Sequence, residues 1–155
     1  MHDEQLRQLI DTAIQREDEA IAFYRDLGEL INEPGAKDAM AWIADEERKH
    51  KDFLVKYRDG KRDIDHSKVN TITLYKIAEH QAEPEIEVDM KSADVFLVAA
   101  HREKRSCEFY QALAAIHYEG EIQAVLLKMV EEELKHKEKM EYLYANAAFP
   151  QTDGG

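Results

Sequence analysis

The chain has 155 residues, a formal net charge of −12 and a single cysteine, Cys107. That length suits one domain around one core, and the acid excess argues against nucleic acid and anionic membranes as partners. The lone cysteine excludes a disulfide framework and any Cys-x-x-Cys zinc, iron–sulfur or rubredoxin-type site. The polar start Met1-His2-Asp3-Glu4-Gln5 has no signal-peptide run, and no stretch approaches the roughly 20 apolar residues of a membrane span, so the expected location is cytoplasmic.

With 44% hydrophobic and 35% charged residues against only 6 Gly and 3 Pro, the composition predicts long amphipathic helices, an all-α fold. Apolar residues recur at steps of three and four. The first stripe, Leu6, Ile10, Ala13, Glu17, Ala20, Tyr24, Leu27, Ile31, predicts a helix over about 3–32, with Asp3 as N-cap. Pro34-Gly35 stops it. The second stripe, Ala36, Met40, Ile43, Glu47, His50, Leu54, Tyr57, predicts 35–59, ended by Gly60. Residues 60–91 form a crossover, long for a structureless loop; Thr71 to His80 reads either as a short helix or as extended chain. The third stripe, Phe96, Ala99, Glu103, Ser106, Tyr110, Leu113, His117, predicts 92–118 with Ser92 as N-cap. After Gly120, the fourth, Ile122, Leu126, Met129, Glu133, His136, Met140, Leu143, predicts 121–147. Short connections make antiparallel neighbours, so 1–148 is expected to be two helical hairpins joined by the crossover. Residues 149–155 are expected to be a disordered tail.

The stripes are broken in the same way twice. Glu17, Glu47 and His50 stand at seam positions, and Glu103, Glu133 and His136 stand 86 residues later. Laying 13–54 on 99–140 without a gap gives 12 identities in 42 positions, against about three by chance. Glu17 lies 17 residues before Pro34, and Glu47 and His50 lie 13 and 16 after it; Glu103, Glu133 and His136 repeat those offsets about Gly120. At ~1.5 Å per residue all six sit at one height, about 20–25 Å from the turns. A lone Glu-x-x-His on a charged helix is usually a solvated face. Two copies on apolar seams, each level with a further seam glutamate, are not. Buried carboxylates need a counter-charge, which a pair of divalent ions would supply. The oxygen-rich set with one imidazole per metal suits two iron ions or manganese, with zinc open and copper(I) a poor match.

These residues resemble the ligand pattern of the ferritin-like diiron-carboxylate superfamily, and of its rubrerythrin-like branch in particular. The resemblance covers both hairpins and implies a ferritin-like antiparallel four-helix bundle. It implies Glu17 and Glu103 as terminal carboxylates, Glu47 and Glu133 as bridging carboxylates, and His50 and His136 as nitrogen ligands. Tyr24 and Tyr110, seven residues beyond Glu17 and Glu103, match tyrosines of that branch that hydrogen-bond ligand carboxylates; the alternative is that they are core residues. The function implied is a peroxidase- or ferroxidase-like oxidoreductase acting with hydrogen peroxide or dioxygen. Two departures stand out. Ser106 occupies the place of a further ligand glutamate of rubrerythrins, and the four-cysteine rubredoxin-like domain has no counterpart, so electrons would come from an external donor protein.

Other functions stay open: an iron-binding, buffering or sensing protein without turnover, a dimanganese catalase-like site, or a metal-free structural bundle. His101 and His117 are read as surface or packing residues, and Cys107 as a small packing residue. Glu46 and Glu132, matched by the repeat, lie about 100° off the seam, where a register slip would put them in competition with Glu47 and Glu133. Trp42, Phe53 and Phe109 either widen the core or form a homodimer surface.

Overall fold

A computed structural model describes residues 4–60, 74–117 and 120–149, and it is all-helical, with no strand among them. The order is α1 (Glu4–Leu30), α2 (Pro34–Arg58), α3 (Ile77–His80), α4 (Ser92–Ile116) and α5 (Gly120–Ala148). Each long helix starts and stops where local chemistry dictates. Pro34 is the first residue of α2, where its missing N–H costs no helical bond. Gly60 and Gly120 hold φ of 70° and 77°, a left-handed backbone that glycine adopts without Cβ strain, and they mark the end of α2 and the turn into α5.

α1 packs along α2, and α4 along α5. Gly28 sets the closeness of the first pair: a Cβ there would come within 3.2 Å of Met40 Cβ. Two apolar clusters hold the molecule together, and each draws on all four long helices. One joins Tyr24 and Leu27 of α1, Ile31 just after it, and Met40 and Ile43 of α2 to Val95, Phe96 and Ala99 of α4 and Met140 of α5. The other joins Ile10 and Ala13 of α1 and Phe53 and Leu54 of α2 to Tyr110 of α4 and Ile122, Leu126 and Met129 of α5. The turn of each hairpin therefore shares its cluster with the open end of the other. Full burial of each large apolar side chain is worth roughly 1.5–3 kcal/mol, so the two clusters are the main glue.

The helix limits differ from the expected ones by one or two residues, within ordinary fraying. One cap differs in substance: Lys91 is the N-cap of α4, and Ser92 is already helical. Asp3 and residues 150–155 lie outside the described residues, as does the stretch from Thr71 to Thr73. Of the two readings of Thr71 to His80, a short helix or extended chain, the described residues show one helical turn, Ile77–His80, preceded by non-helical chain. Leu74 and Tyr75 are exposed, and Ala78 is the residue that enters the core. Lys76, just before the turn, has φ 56°, a left-handed conformation disfavoured in a residue with a Cβ. The strain is offset by Glu141 of α5, whose carboxylate accepts the backbone N–H groups of Ile77 and Ala78.

Among the described residues, no helix is long and apolar enough to cross a membrane. Phe53 is buried in the second cluster, and Phe109 packs against the same cluster with Arg16 3.9 Å above its ring. Those two widen the core. Trp42 is 39% exposed. Cys107 is buried, with its thiol 3.9 Å from the Val130 carbonyl.

Candidate metal centre

Glu17, Glu47, His50, Glu103, Glu133 and His136 are all buried, and they lie between the two apolar clusters. Heptad-like spacing puts them there: each occupies a seam position whose neighbours one turn away are core residues. Glu47, His50, Glu133 and His136 form the inner set, each offering one donor atom within 4.8 Å of the others. Glu17 and Glu103 border it. Glu17 Oε2 is 4.0 Å from His50 Nδ1, and Glu103 Oε1 is 3.8 Å from His136 Nδ1.

The contacts are reciprocal across the hairpins. His50 Nδ1 lies 3.0 Å from Glu133 Oε1, and His136 Nδ1 lies 3.0 Å from Glu47 Oε1. Tyr24 donates to Glu103 Oε1 at 2.9 Å, and Tyr110 donates to Glu17 Oε1 at 2.7 Å. Phe23 and Phe109 stand edge-on to those tyrosines, and Arg102 and Arg16 cap the two phenyl rings from the opposite hairpin. The two imidazoles stack at 4.8 Å with an interplanar angle of 8°. Residues 86 apart in sequence thus exchange partners, which makes the interior nearly two-fold symmetric.

Six ionisable groups in one dry interior cannot all be charged without a counter-ion. Burial, reinforced by Glu47, drives Glu17 well above the usual carboxylate range. Burial and Glu103 do the same to Glu133. Glu103 is pushed up to about 7 by burial and by Glu47. Glu47 is the charged member: burial would raise it, but hydrogen bonds from Glu17, His136 and His50 hold it well below the usual range. Burial opposes the charge on His50, yet Glu132, Glu47 and Glu17 outweigh it and push it up to about 10. Protons therefore balance the charge in the metal-free protein. Glu17, Glu47, Glu103 and Glu133 each keep one buried oxygen, Oε2, without a hydrogen-bond partner. Four acceptor oxygens and two inward imidazole nitrogens around one interior are a donor set that could hold a metal ion.

Both tyrosines are buried and donate to the outer glutamates, so the packing and hydrogen-bonding readings apply together. His101 is elsewhere, with its ring nitrogen 2.8 Å from the Gln81 carbonyl, and His117 caps the end of α4. Glu46 and Glu132 do not compete with Glu47 and Glu133. They stand outside, behind the histidine of the other hairpin: Glu132 Oε2 is 3.8 Å from His50 Nε2, and Glu46 Oε2 is 4.0 Å from His136 Nε2. These separations are too long for hydrogen bonds. Glu132 is pulled down to about 2, mainly by His50. The repeat of Glu46 at Glu132 was the sequence signal for this pair; its role needed the fold.

Sequence reasoning missed a second polar cluster altogether. Lys137, only 4% exposed, pairs with Glu141 at 2.7 Å and with Glu79 of the crossover at 2.9 Å. An i, i+4 Lys–Glu pair reads as a surface feature until a third element covers it. Comparison with family models, curated proteins and solved structures finds no match to this chain.

Proposed function

We propose that the chain is a ferritin-like four-helix bundle of rubrerythrin-like type that holds two iron ions and acts as a diiron-carboxylate oxidoreductase. The observation carrying this reading is the set of four buried glutamate oxygens without partners, aimed with two imidazole nitrogens into one interior. Glu47 and Glu133, innermost and on opposite hairpins, would hold the metals from both sides as carboxylate ligands. Glu17 and Glu103 are terminal, each fixed by a tyrosine of the other hairpin. His50 and His136 bind through Nδ1, with Glu132 and Glu46 behind them.

Bound iron would supply the electrons that reduce hydrogen peroxide or dioxygen and would polarise the oxidant. The protein's part is to replace protons by metal at Glu17, Glu103 and Glu133, and to keep Tyr24 and Tyr110 as donors that hold the terminal carboxylates still. Re-reduction needs an external donor protein, because Cys107 alone cannot build an internal relay. The protein's setting is taken as cytoplasmic.

Anaerobic reconstitution with ferrous iron, metal analysis, and absorption spectra before and after peroxide test the proposal. The expected result is about two metals per chain and a spectral change that cycles with added reductant. Fewer than about one metal per chain would sink it. A second reading, an iron-buffering or sensing protein without turnover, is favoured by Ser106, a non-ligand residue one turn after Glu103. It predicts one stoichiometric oxidation and no cycling. The donor set also admits manganese, so a dimanganese catalase-like centre is separated from iron by metal analysis of the purified protein.

A further inference from the structure

The interior is nearly symmetric, but its connection to the surface is not. Trp42, the chain's one tryptophan, stands edge-on to His136, with ring centroids 5.8 Å apart and an interplanar angle of 72°. His136 in turn stacks on His50. Three π systems therefore run without a gap from a side chain 39% exposed to both inward-facing imidazoles. Tyr24 and Tyr110 are 0% and 1% exposed; their edge contacts run to the partly buried Phe23 and Phe109, and their inner contacts are to Glu103 and Glu17 rather than to the imidazoles.

The repeat sharpens the contrast. The counterpart of Trp42 on α5 is Lys128, whose amine sits over the Phe53 ring at 5.6 Å. Phe53 in turn corresponds to Lys139, whose amine lies 5.8 Å from the Trp42 ring. Aromatic and cation are exchanged between the two halves. A half-exposed indole is not required by the bundle: the same position one repeat later is served by a lysine. The half-chain that carries it reaches the His136 end of the centre alone.

We infer that Trp42 is the port through which electrons from an external one-electron redox protein enter the centre, by way of the His136 ring. This rests on the metal reading above. In each passage the external protein gives up one electron, being oxidised by one, and the Trp42 and His136 rings carry it inward without changing oxidation state themselves. Two such passages would supply the two electrons that a ferric pair takes up. Indole lends itself to this step because its large π system touches both solvent and the His136 ring.

The test compares the wild type with Trp42→Phe and Trp42→Leu, each loaded with ferrous iron, oxidised with peroxide, and then mixed with a reduced ferredoxin as probe. Metal content is measured first, and the emission of the single indole is followed as wild-type iron loads. The inference expects quenched emission, equal metal content in all three proteins, and re-reduction about tenfold slower in the leucine variant, with phenylalanine between. Equal re-reduction rates in fully loaded proteins overturn the port and leave the metal reading intact. Unquenched emission at full loading also overturns it. A wild type that takes up no iron overturns the metal reading itself, and the port falls with it.

Discussion

Lys51 and Lys137 are the same residue one repeat apart, yet they live in different worlds. Lys51 reaches Asp18 at 2.7 Å on the surface, with side chains 40% and 51% exposed. Lys137 is sealed between Glu141 and Glu79. The cause is the crossover. Its residues 77–83 lie over the α4/α5 side, tied down by Glu141, by Arg105 to Glu83 and by His101 to Gln81. Val55 stands where Glu141 would be on α2, and that side keeps an open depression of about 360 Å³ lined by Asp18, Ile21, Arg48 and Lys51. Residues that face the interior meet their own repeats across it and are held alike. Residues that face outward answer to different neighbours and have diverged.

The contrast can be broken by substitution. Lys137→Met should cost about 1.5–3 kcal/mol in urea unfolding, because it removes the cation shared by Glu141, which keeps its two backbone N–H donors, and the one-third-exposed Glu79. Lys51→Met should cost at most about 1 kcal/mol, as for an exposed pair. Equal costs would show that the crossover does not seal the α4/α5 side. Within the interior the halves should behave alike. Tyr24→Phe and Tyr110→Phe should each cost about 0.5–1.5 kcal/mol in the metal-free protein, the net worth of a hydrogen bond to an uncharged group, and should lower metal affinity together. A large difference between them would undo the two-fold picture.

pH offers a finer test. In the metal-free protein Glu103 is raised from 4.5 to about 7 and His50 from 6.5 to about 10. Both bind protons more tightly folded than unfolded. Each thus adds stability at low pH that is lost as pH rises, over 4.5 to 7 for Glu103 and over 6.5 to 10 for His50. Glu47 has the opposite sign, but its effect lies below the ordinary carboxylate range. The melting temperature of the metal-free protein should therefore fall from about pH 5 to about pH 9. The gain on adding ferrous iron should grow over the same range, because the ligands must first release those protons. A metal-independent melting temperature at every pH would remove the metal from the account.

The six interior polar residues were legible because a charged residue on an apolar stripe violates the helical pattern, and the 86-residue repeat showed the violation twice. The tyrosines sit on the stripe like core residues, and their place seven residues beyond Glu17 and Glu103 in both halves of the repeat pointed to them. Lys137 and Glu141 were not: nothing in local periodicity tells which face of α5 a distant segment will cover. Trp42 lies off the stripe, so its contact with His136 depends on how two helices from different hairpins pack. The crossover resisted reading because its one helical turn depends on a carboxylate 63 and 64 residues away rather than on its own sequence.

The reach of the interior contacts has a consequence for how the molecule forms. Tyr24 to Glu103, His50 to Glu133, His136 to Glu47 and Tyr110 to Glu17 span 79, 83, 89 and 93 residues, while the pairings within each hairpin close short turns. Local contacts form early and distant ones late. Two half-formed hairpins, each with three ionisable groups on its inner face, must then meet and desolvate those groups together. That docking is the slow step expected of refolding, and protons or divalent cations in the medium should set its rate.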